Sequence, residues 1–180
     1  EWRNTVEVVD VEKLFCVPLV NPDTGSASTF WELAGKFDAL IRDGRDLYIE
    51  EHKTSSDSID PGSGYIEKLR LDSQVSSYLL AEPAASGMLY DVLRKPQLRP
   101  LMATPEEDRK YTKKTGELYA NQRLEDETPD EFYALCLEAI AADPDQYFLH
   151  LKVVRLEQEA VDCARDLWFT AAQIRESIGS

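Results

Sequence analysis

The chain has 180 residues, 43% of them hydrophobic and 30% charged, which is enough to bury the core of one ordinary domain and too apolar for disorder. No apolar run approaches the length of a membrane span, and Glu1-Trp2-Arg3-Asn4 lacks the basic-then-apolar layout of a secretory signal, so one soluble, cytoplasmic domain over residues 1–180 is expected. A formal charge of −14 excludes a protein that coats nucleic acid, and three scattered cysteines, Cys16, Cys136 and Cys163, exclude a disulfide framework or a local metal motif and read as reduced, mostly buried thiols.

From Thr5 to Val20 the chain is rich in β-formers, with Val6, Val8, Glu12, Leu14 and Cys16 on one parity, and Asn21-Pro22-Asp23-Thr24-Gly25 closes the run: a strand and a turn. A second strand is expected from Thr29 to Ile41 and a third from Asp46 to Thr54, joined at Arg42-Asp43-Gly44-Arg45, whose Asp-Gly step suits a hairpin. Ser55 to Gly64 has loop chemistry. Beyond it Ile66, Leu69, Val75, Leu79 and Leu80 recur at helical spacing, predicting one helix of about five turns.

Gly87 to Leu93 alternates weakly as another strand, after which Pro96, Pro100 and Pro105 interrupt any regular pattern. Thr128-Pro129-Asp130-Glu131 is a helix start, with the helix running to about Ala142; Gln146 to Val154 reads as a last strand. Leu156, Ala160, Cys163, Leu167, Ala171, Ile174 and Ile178 define a terminal amphipathic helix. The expected order is β-β-β-α-β-α-α-β-α: an α/β fold, a mixed central sheet flanked by helices. A motif-bearing core covers 5–82, a basic section 94–123, and a helix-strand-helix unit 128–178. The basic section carries a local charge of +4 with Tyr111 and Tyr119 among its charges; it reads equally as a guide for a phosphate backbone or as a solvated surface.

Chemistry concentrates in Gly35-Lys36-Phe37-Asp38 and in Leu47-Tyr48-Ile49-Glu50-Glu51-His52-Lys53. Side chains alternate along a strand, so Leu47, Ile49, Glu51 and Lys53 share a face on which two apolar residues give way to an acid and a base. Across the hairpin Asp38 can approach Glu51, and two close carboxylates repel unless a cation lies between them. Hard oxygen donors of this kind suit Mg²⁺ or Mn²⁺. Lys53 could orient or deprotonate a metal-bound water or stabilise charge on a phosphorane. Acid, acid and lysine together point to phosphodiester hydrolysis.

Asp38 followed by Glu51-His52-Lys53 resembles the PD-(D/E)XK nuclease signature, in the Gly-x-x-Asp and Glu-x-Lys form of the RecB-like nucleases of phages and bacteria. Leu71-Asp72-Ser73-Gln74-Val75-Ser76-Ser77-Tyr78 is similar to their following Gln-x-x-x-Tyr helix motif, with Gln74 and Tyr78 one turn apart. The resemblance implies a restriction-endonuclease-like core, an Mg²⁺- or Mn²⁺-dependent deoxyribonuclease, and a catalytic set of Asp38, Glu51, Lys53, Gln74 and Tyr78. It also implies that the metal is held by Asp38, Glu51 and the backbone carbonyl of His52, and that Gln74 and Tyr78 hold the scissile phosphate or the lysine.

On this reading the substrate is DNA, its ends or single strands, attacked by an exonuclease of recombination, repair or phage replication in a bacterial or phage-infected cell, with a helicase or an annealing protein as a possible partner. The alternative is a catalytically silent DNA-binding or protein-interaction domain of the same fold. Lys68 and Arg70 are candidate phosphate contacts, Arg70 lying one turn before Gln74. Glu12 reads either as a metal-facing acid or as an edge-strand glutamate. The side chain of His52 points away from Glu51 and Lys53, Glu50 lies on the opposite face, and His150 and Trp168 are expected in the core. The chain departs from the family in lacking an upstream metal-binding histidine, since His52 and His150 are its two histidines, and a downstream cysteine cluster.

Overall fold

The structure, a computed structural model, describes residues 6–178; the expected start of the first strand at Thr5 lies outside them. The fold is mixed α/β. Five strands, β1 (Glu7–Val20), β2 (Ala27–Asp43), β3 (Asp46–Ser55), β4 (Ala85–Arg94) and β5 (Phe148–Val153), form one sheet in the order β1-β2-β3-β4-β5. The β3–β4 pair is parallel and the other three pairs are antiparallel.

The β2–β3 hairpin closes at the Asp43–Asp46 pair, and Gly44 takes φ 64° at the first turn position, where a side chain would be strained. The parallel β3–β4 step needs a crossover, and two short helices supply it: α1 (Gly64–Arg70) and α2 (Ser73–Ala81). One five-turn helix was the sequence expectation. The chain instead breaks at Leu71-Asp72, because the Asp72 carboxylate accepts from Gln74 N at 2.9 Å and caps a new helix. The described order is β-β-β-α-α-β-α-β-α, with one α-helix, α3 (Pro129–Ala142), between β4 and β5 where two were expected, and α4 (Glu157–Ile178) completing it.

The main core lies on one face of the sheet, where Phe37, Leu40, Ile49, Met88, Tyr90 and Val92 meet Ile59, Leu69 of α1 and Val75 of α2. Helix α4 packs on α2 and reaches β1. On edge strand β1, Phe15 and Leu19 face inward, whereas Val8, Leu14 and Cys16 of the parity singled out from the sequence are exposed. Cys136 and Cys163 are only partly covered, so the cysteines are free but not buried as expected. The other face of the sheet holds a smaller cluster of Ala39, Ile41, Tyr48 and Leu89. Among the described residues no helix is long and apolar enough to cross a membrane.

Strict alternation would separate Phe37 from Leu40, yet both enter the main core while Ala39 joins the opposite cluster. Strand β2 thus turns over at Asp38-Ala39. Across from it on β1, Glu12 adopts φ 53°, an uncommon conformation for a side-chain-bearing residue. Pairing of β2 with β3 ends at Ala39–Glu50. The next position along, where Asp38 would face Glu51, is where the two strands part.

Candidate active site

The site grows from the C-terminal end of β3. There the inward face passes from Ile49, fully buried, to Glu51 and Lys53. Glu51 is 8% exposed, and burying a carboxylate this deeply is costly unless its oxygens find partners. Its Oε1 accepts from Lys53 Nζ at 2.8 Å and from Gln74 Nε2 at 3.1 Å. Its Oε2 is buried and has no hydrogen-bond partner among the described residues.

Gln74 sits on the first turn of α2, aimed at β3 by the Asp72 cap. It bridges the pair, donating through Nε2 to Glu51 and accepting through Oε1 from Lys53 at 3.1 Å. Burial alone would favour a neutral Lys53, but the hydrogen bond and charge of Glu51, aided by Asp72 and Tyr78, outweigh it and raise the lysine above its ordinary value. Lys53 is therefore an ammonium at neutral pH: a donor and a positive charge.

Asp38 reaches the same strand end from β2. Its Oδ2 accepts from the backbone N–H of His52 at 2.9 Å. Within a strand the N–H and C=O of one residue face the same neighbour, so the His52 carbonyl also looks toward the gap beside Asp38. Tyr78, one turn beyond Gln74, donates its hydroxyl to the Lys36 carbonyl at 3.0 Å, and its ring packs edge-on against Phe15 and Phe37. It anchors β2 near Asp38 and makes no hydrogen bond to Lys53. Glu12 is ion-paired with Lys36 and largely exposed.

Three expectations need correction. Arg70 ends α1 while Gln74 begins α2, so they share no helix face; Arg70 is exposed and pairs with Glu67, and Lys68 is exposed beside it. His150 is not core: β5 turns Leu149, Leu151 and Val153 inward, which places His150 on the outer parity, where its Nδ1 lies 3.4 Å from Asp91. Trp168 is only partly buried. In the basic section, Arg109 donates to the Thr104 carbonyl and Arg123 lies against Glu131, while Lys110, Lys113 and Lys114 are exposed.

Sequence reasoning missed the support behind Gln74. Asp72 caps α2 with one oxygen and accepts the Tyr90 hydroxyl with the other at 3.3 Å, and its carbonyl accepts from Arg155 at 2.9 Å. Burial, then the Asp72 charge, pushes the Tyr90 phenol far up, so it stays a hydroxyl and a donor. Arg155 also donates to Ser76 at 3.0 Å. An aspartate inside an otherwise helical apolar pattern was the available signal.

The donor types fit a hard divalent cation, because carboxylate and carbonyl oxygens lie at one strand end where a buried carboxylate oxygen lacks a hydrogen-bond partner among the described residues. No protein-family model matches the chain, and no curated protein matches it. A solved structure titled "Crystal structure of SSO0001" is similar at 15% identity and a TM-score of 0.38, over 92% of this chain and 50% of that one. The chain thus spans about half the length of that structure's chain, and at this TM-score the likeness carries no argument about fold family or activity.

Proposed function

We propose that this chain is a PD-(D/E)XK nuclease domain of the RecB-like kind over residues 1–180, hydrolysing DNA phosphodiester bonds with Mg²⁺ or Mn²⁺. The observation that carries the reading is the buried Oε2 of Glu51, without a hydrogen-bond partner among the described residues, on a carboxylate whose Oε1 is held by Lys53 and one residue before the His52 N–H that Asp38 accepts. Asp38, Glu51 and the His52 carbonyl would hold the ion. When bound, it would polarise a phosphoryl oxygen and lower the pKa of a coordinated water.

The chain's own groups do the rest. Lys53 keeps its proton, so it acts by donating to the scissile phosphate and neutralising charge as it builds, more than by accepting a proton. Gln74 fixes the Lys53 and Glu51 head groups against each other, so neither must reorganise when substrate arrives. Tyr78 holds β2, and with it Asp38, in register. The exposed lysines Lys110, Lys113 and Lys114 supply a phosphate-guiding surface on an otherwise acidic chain. On this reading the chain acts as an exonuclease on DNA ends or single strands in recombination, repair or phage replication, in the cytoplasm and beside a helicase or annealing protein.

The test is degradation of end-labelled linear single- and double-stranded DNA with Mg²⁺, Mn²⁺ or EDTA, comparing this chain with Lys53→Ala. Metal-dependent cleavage that falls by about 10²–10³-fold in the variant is expected, the scale of losing one charge-stabilising donor. Inactivity of the parent chain in both metals would overturn the reading in favour of a silent binding domain.

A further inference from the structure

The opposite face of the same strands carries a second constellation. Registered residues on neighbouring strands share a face, and His52 pairs with Asp91 on β4, which in turn pairs with His150 on β5. Glu50, two residues before His52, joins this row. Ligand atoms of Glu50, His52 and Asp91 all lie within 4.8 Å of one another. His52 Nε2 is 3.9 Å from Glu50 Oε1 and 3.8 Å from Asp91 Oδ2, and His150 Nδ1 is 3.4 Å from the other Asp91 oxygen.

We infer that Glu50, His52 and Asp91 form a site for a first-row transition ion of the Zn²⁺ or Co²⁺ kind. Ligands about 2.0–2.2 Å from a tetrahedral ion lie roughly 3.4 Å apart, so the imidazole–carboxylate separations need to close by only a few tenths of an ångström. A second observation points the same way. The Glu50 side chain is nine-tenths buried and makes no hydrogen bond with any described residue, the imidazole of His52 lying 3.9 Å from its Oε1. The Asp91 side chain is equally buried. Among the described residues Glu50 has no lysine or arginine within 4 Å, and Lys152, also on that face, gives its ammonium to the Tyr48 hydroxyl at 2.9 Å instead.

The imidazole distinguishes this site from the one at Glu51, since a nitrogen ligand selects zinc-like ions over Mg²⁺. A cavity of about 580 Å³, lined by His52, Asp91, Leu93, Phe148 and His150, leaves room for a solvent ligand. His150 braces Asp91 from outside. The other ring nitrogen of His52, Nδ1, lies 3.7 Å from Asp38 Oδ2. Asp38 accepts its hydrogen bond from the His52 backbone N–H, not from the ring, so it adds a negative charge beside the imidazole and ties this site to the first one. The inference does not depend on the nuclease reading.

Because His52 and His150 are the chain's two histidines, imidazole ¹⁵N spectra read the site directly in the unmodified protein. Titrating Zn²⁺ into the metal-free chain should move the His52 Nε2 resonance at one equivalent, and Co²⁺ should give visible d–d bands that excess Mg²⁺ does not remove. Glu50→Gln and Asp91→Asn should weaken Co²⁺ binding at least about ten-fold, the lower bound for losing even an outer-shell partner, while Glu138→Gln, exposed on α3, leaves it within about two-fold. An unmoved His52 resonance at saturating Zn²⁺, Co²⁺ bands that persist in Glu50→Gln and Asp91→Asn, or bands that excess Mg²⁺ removes would each overturn it.

Discussion

Two stretches of the chain are built on opposite principles. From Ala27 to Arg94, strands β2, β3 and β4 and the two crossover helices bury residues along almost every element. From Pro96 to Gln146 no residue is buried, α3 included. The second stretch is held by local bonds: Thr104 N to the Arg123 carbonyl at 2.9 Å, Ala103 N to Asp126 at 2.7 Å, Leu101 N to Glu127 at 2.9 Å. Hydrophobic burial fixes one geometry and can hold a half-satisfied carboxylate in place; caps and turns order a segment without making it bear on the core. The candidate site sits in the first stretch for that reason.

Substitutions should separate the two. Phe37, fully buried and stacked on Phe15 at 4.6 Å, should cost about 3–5 kcal/mol of stability as Phe37→Ala by denaturant unfolding; Leu137→Ala, on half-exposed α3, should stay within about 0.5 kcal/mol. Equal costs would erase the distinction. Gly35→Ala comes next. A Cβ there would sit 2.6 Å from the Phe15 ring, which cannot swing away because Phe37 and Tyr78 flank it, so a loss of about 1–3 kcal/mol is expected.

Thr128→Ala removes the N-cap of α3, where the Thr128 and Glu131 side chains cap each other's backbone N–H groups. About 1 kcal/mol should be lost, visible as faster hydrogen exchange confined to α3 and with the sheet unchanged; protection lost in β3 as well would show that the excursion bears on the core. The smallest effect is in pH. Lys53 holds its proton above its ordinary value when folded, so its contribution is complete below the unfolded lysine value of about 10.4 and is lost as pH rises through the higher folded value. Melting temperature should be indifferent to this pair through neutral pH and decline in strong alkali, and Lys53→Met should show a shallower alkaline decline.

The β2–β3 hairpin and the shared face of Glu51 and Lys53 could be read from the chain because strand alternation is a local rule, whereas Gln74 came to their side through the resemblance. What could not be read was non-local. The apolar spacing runs through Leu71-Asp72 as if one helix continued, and only the packed structure reveals Asp72 as a cap tied to Tyr90 and Arg155. Likewise Glu50 looked like a bystander to Glu51, and His150 looked like core, because the row His52–Asp91–His150 exists only once β3, β4 and β5 pair in register. The turn-over of β2 at Asp38 breaks the alternation on which sequence reading depends, and it does so beside the candidate site.

The central claim is that the unpartnered oxygen of Glu51 is a metal ligand for DNA cleavage. The most direct measurement is the rate of Mn²⁺-supported degradation of linear DNA by Glu51→Gln beside the parent chain, with folding checked by circular dichroism. A folded variant slowed by about 10²-fold or more, with the parent silenced by EDTA, is the predicted result; cleavage by Glu51→Gln at the parent rate, or cleavage that EDTA leaves untouched, would contradict the account.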